Sequence, residues 1–197
     1  MDALKKNPQS PLRSLTLSHL PLTTDFIEGL LPVLPPLTHL TLSHCQMNSH
    51  TLVRFFHTLC LPTSILSSSL CSLDISGNTL GQEGSLALGN WLKDRRVTAL
   101  KSLGLEGTNA DWSSVMIALT KLENGLQSLN IASNMIDEKI FQLLNPFIAH
   151  GHVTGLSVGA MKGNMMMVEG LCGSLLLNNS LQDISLNLDC TSMDSMY

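Results

Sequence analysis

A chain of 197 residues is the size of one domain with a substantial core, and with 44% hydrophobic but only 4% aromatic residues that core must be built from Leu, Met, Ile and Val. Charged residues make up 13%, the formal net charge is −4, and the densest basic stretch is Lys93-Asp94-Arg95-Arg96, so the concentrated basic footprint of a nucleic-acid binder is missing. The longest apolar run, over 30–42, is broken by Pro32, Pro35 and Pro36, which argues against a membrane span.

Along the chain, a polar segment over 1–11 (MDALKKNPQSP) comes first and is unlike a signal peptide. From Leu12 the chain reads LRSLTLSHLPL, an L-x-x-L-x-L pattern with a later turn position, followed by helical spacing over 26–34. The pattern returns from Leu37 as LTHLTLSHCQM, with a helical segment over 52–59, and from Leu70 as LCSLDISGNTL. After the third copy, Gly84, Leu88 and Leu92 stand four apart, as one face of a helix requires. Further copies start at Leu100 (LKSLGLEGTNA), Leu126 (LQSLNIASNMI), Val153 (VTGLSVGAMKG) and Leu181 (LQDISLNLDCT), with helical segments over 115–122, 140–148 and 165–177 between them.

The starts are 25, 33, 30, 26, 27 and 28 residues apart, and the first three apolar positions hold in all seven copies. An Asn or Cys follows at the turn as Cys45, Asn78 and Asn134; Leu20, Thr108, Met161 and Asp189 stand there elsewhere. Such a period marks a solenoid. Each unit is a short strand with apolar residues turned inward, a turn whose Asn bonds otherwise unpaired backbone groups, and a helix returning on the outside. No unit buries its own face, so units stack. The predicted fold is α/β: a curved solenoid over 12–197 with a concave parallel sheet and outer helices.

This pattern resembles the leucine-rich repeats of the ribonuclease-inhibitor-like class, whose fold is a horseshoe with long helical units. The resemblance runs from Leu12 to about Cys190. The phrases LTHLTLSHCQM, SSSLCSLDISGNTL and LLLNNSLQDISLNLDC are similar to the repeat domain of CARMIL proteins, regulators of actin capping protein. In that family the segment that binds capping protein lies in a tail outside the repeats, so the resemblance implies actin-regulatory kinship without carrying over that activity.

Chemistry-bearing motifs are few. Gly77, Gly81 and Gly84 lie in a phosphate-loop-like context, but Ser85-Leu86 follows where Lys-Ser/Thr is needed, so they read as turn and packing residues, Gly84 allowing close helix–sheet approach. His19 and His44 share a template offset and His39 lies on the second strand. All three read as exposed rim histidines rather than zinc ligands. Asp74 and Glu106, on neighbouring strands, are within diagonal reach and read as solvated surface. The five cysteines are scattered without CxxC pairing, which suits free thiols in a reducing compartment, and Asn178-Asn179-Ser180 is a chance sequon. Met165, Met166 and Met167 read as core filler, Trp91 as packed between helices and Trp112 as more exposed.

Alternation predicts an outward face that includes His39, Thr41, Ser72, Asp74, Ser76, Ser102, Glu106, Ser128, Asn130, Ser157, Asp183 and Ser185, together with Gly159. It carries no Trp, Tyr or Arg, the usual hot-spot residues. The function this implies is a non-catalytic, cytoplasmic protein–protein interaction scaffold without cofactor or metal; the alternative is a ligand-sensing or inhibitor-type repeat domain, as in innate immune receptors. The strand near Leu186 has only a short tail after it, which leads to two expectations: a piece of a longer array, or self-association through uncapped ends.

Overall fold

The computed structural model describes residues 10–122, 125–162 and 165–189. The segment over 1–9, and Cys190 with the rest of the short tail, lie outside the described residues.

The chain alternates strands and helices into one seven-stranded parallel sheet whose strands neighbour each other in chain order. The strands are β1 (Ser14–Thr16), β2 (His39–Thr41), β3 (Ser72–Asp74), β4 (Ser102–Gly104), β5 (Ser128–Ile131), β6 (Gly155–Lys162) and β7 (Asp183–Asp189). Their register is the template itself: Leu15, Leu40, Leu73, Leu103, Leu129, Leu156 and Ile184 lie in one row across the sheet. At all six junctions the carbonyl just before one strand accepts two successive amides of the next unit. Thr38 and His39 donate to Arg13, and so on to Gln182 and Asp183 on Thr154, at 2.7 to 3.0 Å. Parallel strands that share one fork per junction cannot slip by a residue without turning their leucines to water.

Between the strands run α1 (Thr24–Leu30), α2 (Ser49–Cys60), the short α3 (Leu66–Ser69), α4 (Gly81–Leu92), α5 (Trp112–Leu119), α6 (Glu138–His150) and α7 (Met165–Leu177), with a 3-10 turn at Leu31–Val33. Thr23, Asn48 and Asp137 cap α1, α2 and α6 by accepting from Phe26, Thr51 and Ile140 amides. The longer helices pack side by side in chain order. Their apolar residues and the strand leucines form one continuous core, in which Leu40, Leu73, Leu103 and Leu129 are all buried. The architecture is a solenoid-like α/β stack, each unit contacting its neighbours.

Two local expectations, on Trp112 and Gly84, are corrected, and those on Trp91 and Met167 hold. The serine run that lengthens the second unit folds as α3, because Ser67 donates to Leu59 O at 2.6 Å and accepts from Trp91 Nε1 at 3.0 Å. Trp91 is thereby buried with its ring against Phe56, between helices as expected. Trp112, expected to be more exposed, is buried at 3%. Gly84 packs on Leu80 and α2 rather than on the sheet: an added Cβ would sit a tight 3.1 Å from Leu80 Cδ2 and in ordinary contact with Ser49 Oγ and Leu52 Cβ, at 3.5 and 3.7 Å. Met167 is buried as core filler, whereas the side chains of Met165 and Met166 lie outside the described residues.

Candidate functional site: the hydroxyl-rich strand face

The strand face away from the helices is assembled from three rows of side chains. The first is Ser14, His39, Ser72, Ser102, Ser128, Gly155 and Asp183; the second is Thr16, Thr41, Asp74, Gly104, Asn130, Ser157 and Ser185. The third follows the strands as Ser18, Ser43, Ser76, Glu106 and Ala132. The predicted face residues fall on these rows except Gly159, and one of them, Ser76, departs in exposure. Ser76 is buried, because its hydroxyl accepts from the Glu106 amide at 3.1 Å and so lies beneath its neighbour. Gly159, expected to face outward, is the extra residue of a bulge between Val158 and Ala160. It is tucked so close to the turn of the preceding unit that a Cβ would lie 2.4 Å from Asn134 O.

At the centre of the face the polar groups are wired to one another. Asp74 accepts from the Ser76 amide at 2.9 Å. Its carboxylate occupies the space over Gly104, where an added Cβ would come within 2.4 Å of Asp74 Oδ1. Glu106 accepts from Asn130 Nδ2 at 3.2 Å and from Ser133 Oγ at 2.9 Å, while Asn130 Oδ1 takes the Ala132 amide at 3.0 Å. Asp74 and Glu106 therefore each have partners of their own and do not form an acid–base pair with each other. The described ion pairs, Arg54 with Glu28 and Arg96 with Asp94, lie elsewhere, so the face carries acidic groups held by hydroxyl and amide donors.

The turns behind this face explain the template's Asn position. Asn78 Oδ1 accepts from the Cys45 and Met47 amides, both at 3.0 Å, and its Nδ2 donates to Leu42 O, Ile75 O and Ser76 O. Asn134 repeats the arrangement on Thr108, Asn109, Leu105, Ile131 and Ala132. Cys45, in the same place one unit earlier, reproduces only part of it: its thiol donates to Leu17 O at 2.9 Å, the counterpart of Leu42 O. Thr108 donates to Leu105 O of its own unit at 2.9 Å. Asn, Cys and Thr thus meet one demand, pairing buried carbonyls, with different completeness. Burial pushes the Cys45 thiol up from its ordinary value, as it does Cys60, where Asp94 adds to the effect. In both, burial disfavours the thiolate.

One regularity is invisible residue by residue. His19, His44, Gly77, Gly107 and Ser133 occupy one template offset and all have positive φ, between 54° and 69°. For a residue with a Cβ, that left-handed conformation costs about 1 kcal/mol. Aligned glycines at two of five places were the available signal. The histidines here stack, ring centroids 4.9 Å apart and 3° from parallel, and the His44 ring covers Gly77 where a Cβ would be 2.2 Å from its Nδ1. His39 instead pairs with Thr38 Oγ1 at 2.9 Å. The three rings do not converge, and no group of three or more ligating side chains is placed to hold a metal ion among the described residues.

A cleft of about 420 Å³ lies off this face between the ends of α5 and α6; Leu119, Phe147, His150 and His152 help line it, with no carboxylate or cysteine. Among the described residues no helix is long and apolar enough to cross a membrane. The arrangement offers hydrogen-bond donors and acceptors to a polar partner. Compared with known proteins, the chain matches no family model and no curated sequence.

Proposed function

We propose that these units are leucine-rich repeats of a horseshoe and that the chain works as a non-catalytic protein-interaction scaffold, with the strand face as its binding surface. The observation that carries the reading is the face itself: rows of small hydroxyl and amide side chains, with Asp74 and Glu106 held in fixed positions by their neighbours. A rigid polar surface of this kind recognises a partner by hydrogen bonding and shape, at low side-chain entropy cost, with weak anchoring because large apolar residues are missing. The acidic groups favour a partner segment carrying Lys or Arg.

Proximity labelling with the full chain tests this. Ser102→Arg and Asn130→Arg place bulk and positive charge on the face and are expected to erase a shared set of labelled partners. Asn90→Arg, on the exposed outer side of α4, is expected to keep that set. Equal labelling by all three variants overturns the reading.

A further inference from the structure

The left-handed row at the strand ends carries a stack of rings that stops short. His19, His44, Gly77, Gly107 and Ser133 share one backbone conformation, so each directs its side chain, or the place of one, the same way along the rim of the strand face. Neighbouring places are one strand spacing apart, ~4.8 Å. The first two hold imidazoles, 4.9 Å apart and 3° from parallel. The His44 ring lies against Gly77, where the three atoms nearest an added Cβ all belong to it. Gly77 supplies no third ring. At Gly107, which is exposed, an added Cβ would meet nothing nearer than Ser133 Cβ at 3.9 Å. The row therefore has an open place beyond the second ring, floored by bare backbone.

Three groups border that place. The His44 ring is a flat wall on one side. Ser133 stands on the other, its hydroxyl donating to Glu106 Oε1 at 2.9 Å. Glu106, the residue before Gly107, is half-buried and also accepts from Asn130 Nδ2 at 3.2 Å, so its carboxylate is held in position. A carboxylate has acceptor sites for about four hydrogen bonds, and these two donors leave room for more. No described lysine or arginine pairs with Glu106. The group that fits is flat, positively charged and rich in donors along its edge. A guanidinium is all three. An ammonium does not stack, and an aromatic ring turns a C–H edge to the carboxylate.

We propose that an arginine of a partner protein fills this place, its guanidinium stacked on the His44 ring and donating to Glu106. The inference rests on the strand face being the binding surface and names the side chain that anchors a partner there. It also supplies, from the partner, the kind of hot-spot residue the face itself lacks.

Nuclear magnetic resonance on the full chain, titrated with acetyl-Gly-Arg-Gly-amide to roughly 50 mM, reads the contact of a weak, single-residue probe. Saturable shifts are expected for the His44 imidazole and the Gly107 and Ser133 amides, with the exposed His57 of α2 unmoved. Peptides with lysine or tyrosine in place of arginine are expected to bind at least about threefold more weakly. Glu106→Gln and His44→Gly are each expected to weaken the arginine peptide by at least about threefold, glycine being suited to the left-handed backbone at that place. Glu106→Gln alone decides if His44→Gly lowers the melting temperature. Absence of a saturable shift overturns the proposal. Equal binding of the lysine peptide overturns it in favour of a bare charge site, and equal binding of the tyrosine peptide in favour of an aromatic one. In proximity labelling, partners lost with Ser102→Arg but kept with both Glu106→Gln and His44→Gly overturn this inference and leave the scaffold reading standing; partners kept with Ser102→Arg and Asn130→Arg as well overturn both.

Discussion

The third and seventh units follow one template and end in opposite states. Leu73 is fully buried between β2 and β4, and Leu88 of α4 is equally enclosed between α2 and α5. Ile184, in the same row as Leu73, is 38% exposed, and α7 turns two leucines outward. The strand residues are of the same kind and the alternation is the same. What differs is that, among the described residues, the third unit has a neighbour on each side and the seventh on one. A repeat's apolar residues are therefore a core only in company, and the stability of each unit is shared with the units that flank it.

Truncation of the aligned residues breaks or sharpens this contrast most strongly. Leu73→Ala is expected to cost about 4 kcal/mol, through lost burial and a cavity that two packed neighbours hold open, and Ile184→Ala about 1 kcal/mol or less. Chemical denaturation measures both; equal losses would mean that burial in the stack does not set the energetics. The turn position comes next. Asn78→Ala leaves two amides and two carbonyls without partners, Ser76 O keeping the His44 amide, and is expected to cost about 3 kcal/mol, whereas Thr108→Ala removes only one of two donors from Leu105 O, which keeps Asn134, and is expected to cost about 1 kcal/mol or less. Thermal melts of the pair test whether the Asn ladder ties interior units more tightly than its substitutes do.

The smallest effect concerns the clamp between the second and third units. Arg96 donates to Cys60 O and Leu61 O, both at 2.7 Å, closing the C-terminal end of α2, and is itself held by Asp94. The Arg96 guanidinium, chiefly by hydrogen bonding, holds the Asp94 carboxyl below its usual range. That contribution is complete above the ordinary carboxylate value, about 4, and fades as pH falls through and below it. Asp94→Asn is expected to be less stable than the parent chain by about 1 kcal/mol near neutrality, with the gap closing below about pH 4. Melting curves across that range measure the difference, and a gap independent of pH would detach the carboxylate from the clamp.

How much of this was legible in the sequence depends on whether a residue's role was local. The rows Leu40, Leu73, Leu103 and Leu129 were readable, because an alternating strand has only two faces and the apolar one must be covered. The face residues Ser72, Asp74 and Asn130 followed from the same alternation. Ser76 and Gly159 did not, since one is covered by a neighbour's amide and the other displaced by a bulge, both decided across units. Trp112 was misjudged because helical spacing says which residues share a side, not how deeply a neighbouring helix covers it. The left-handed row from His19 to Ser133 was hidden because three of its five members are not glycine.

By itself, then, the sequence determined the period, the alternation of strand and helix, and which residues of each strand turn toward the core, because these follow from spacing of two and 3.6 along one chain. Only the tertiary structure decided which polar groups hold each other, where Asp74 and Glu106 find their partners, and which apolar surfaces are left open. Those outcomes depend on what the adjacent unit brings within hydrogen-bond or van der Waals reach, some 25 to 33 residues away along the chain.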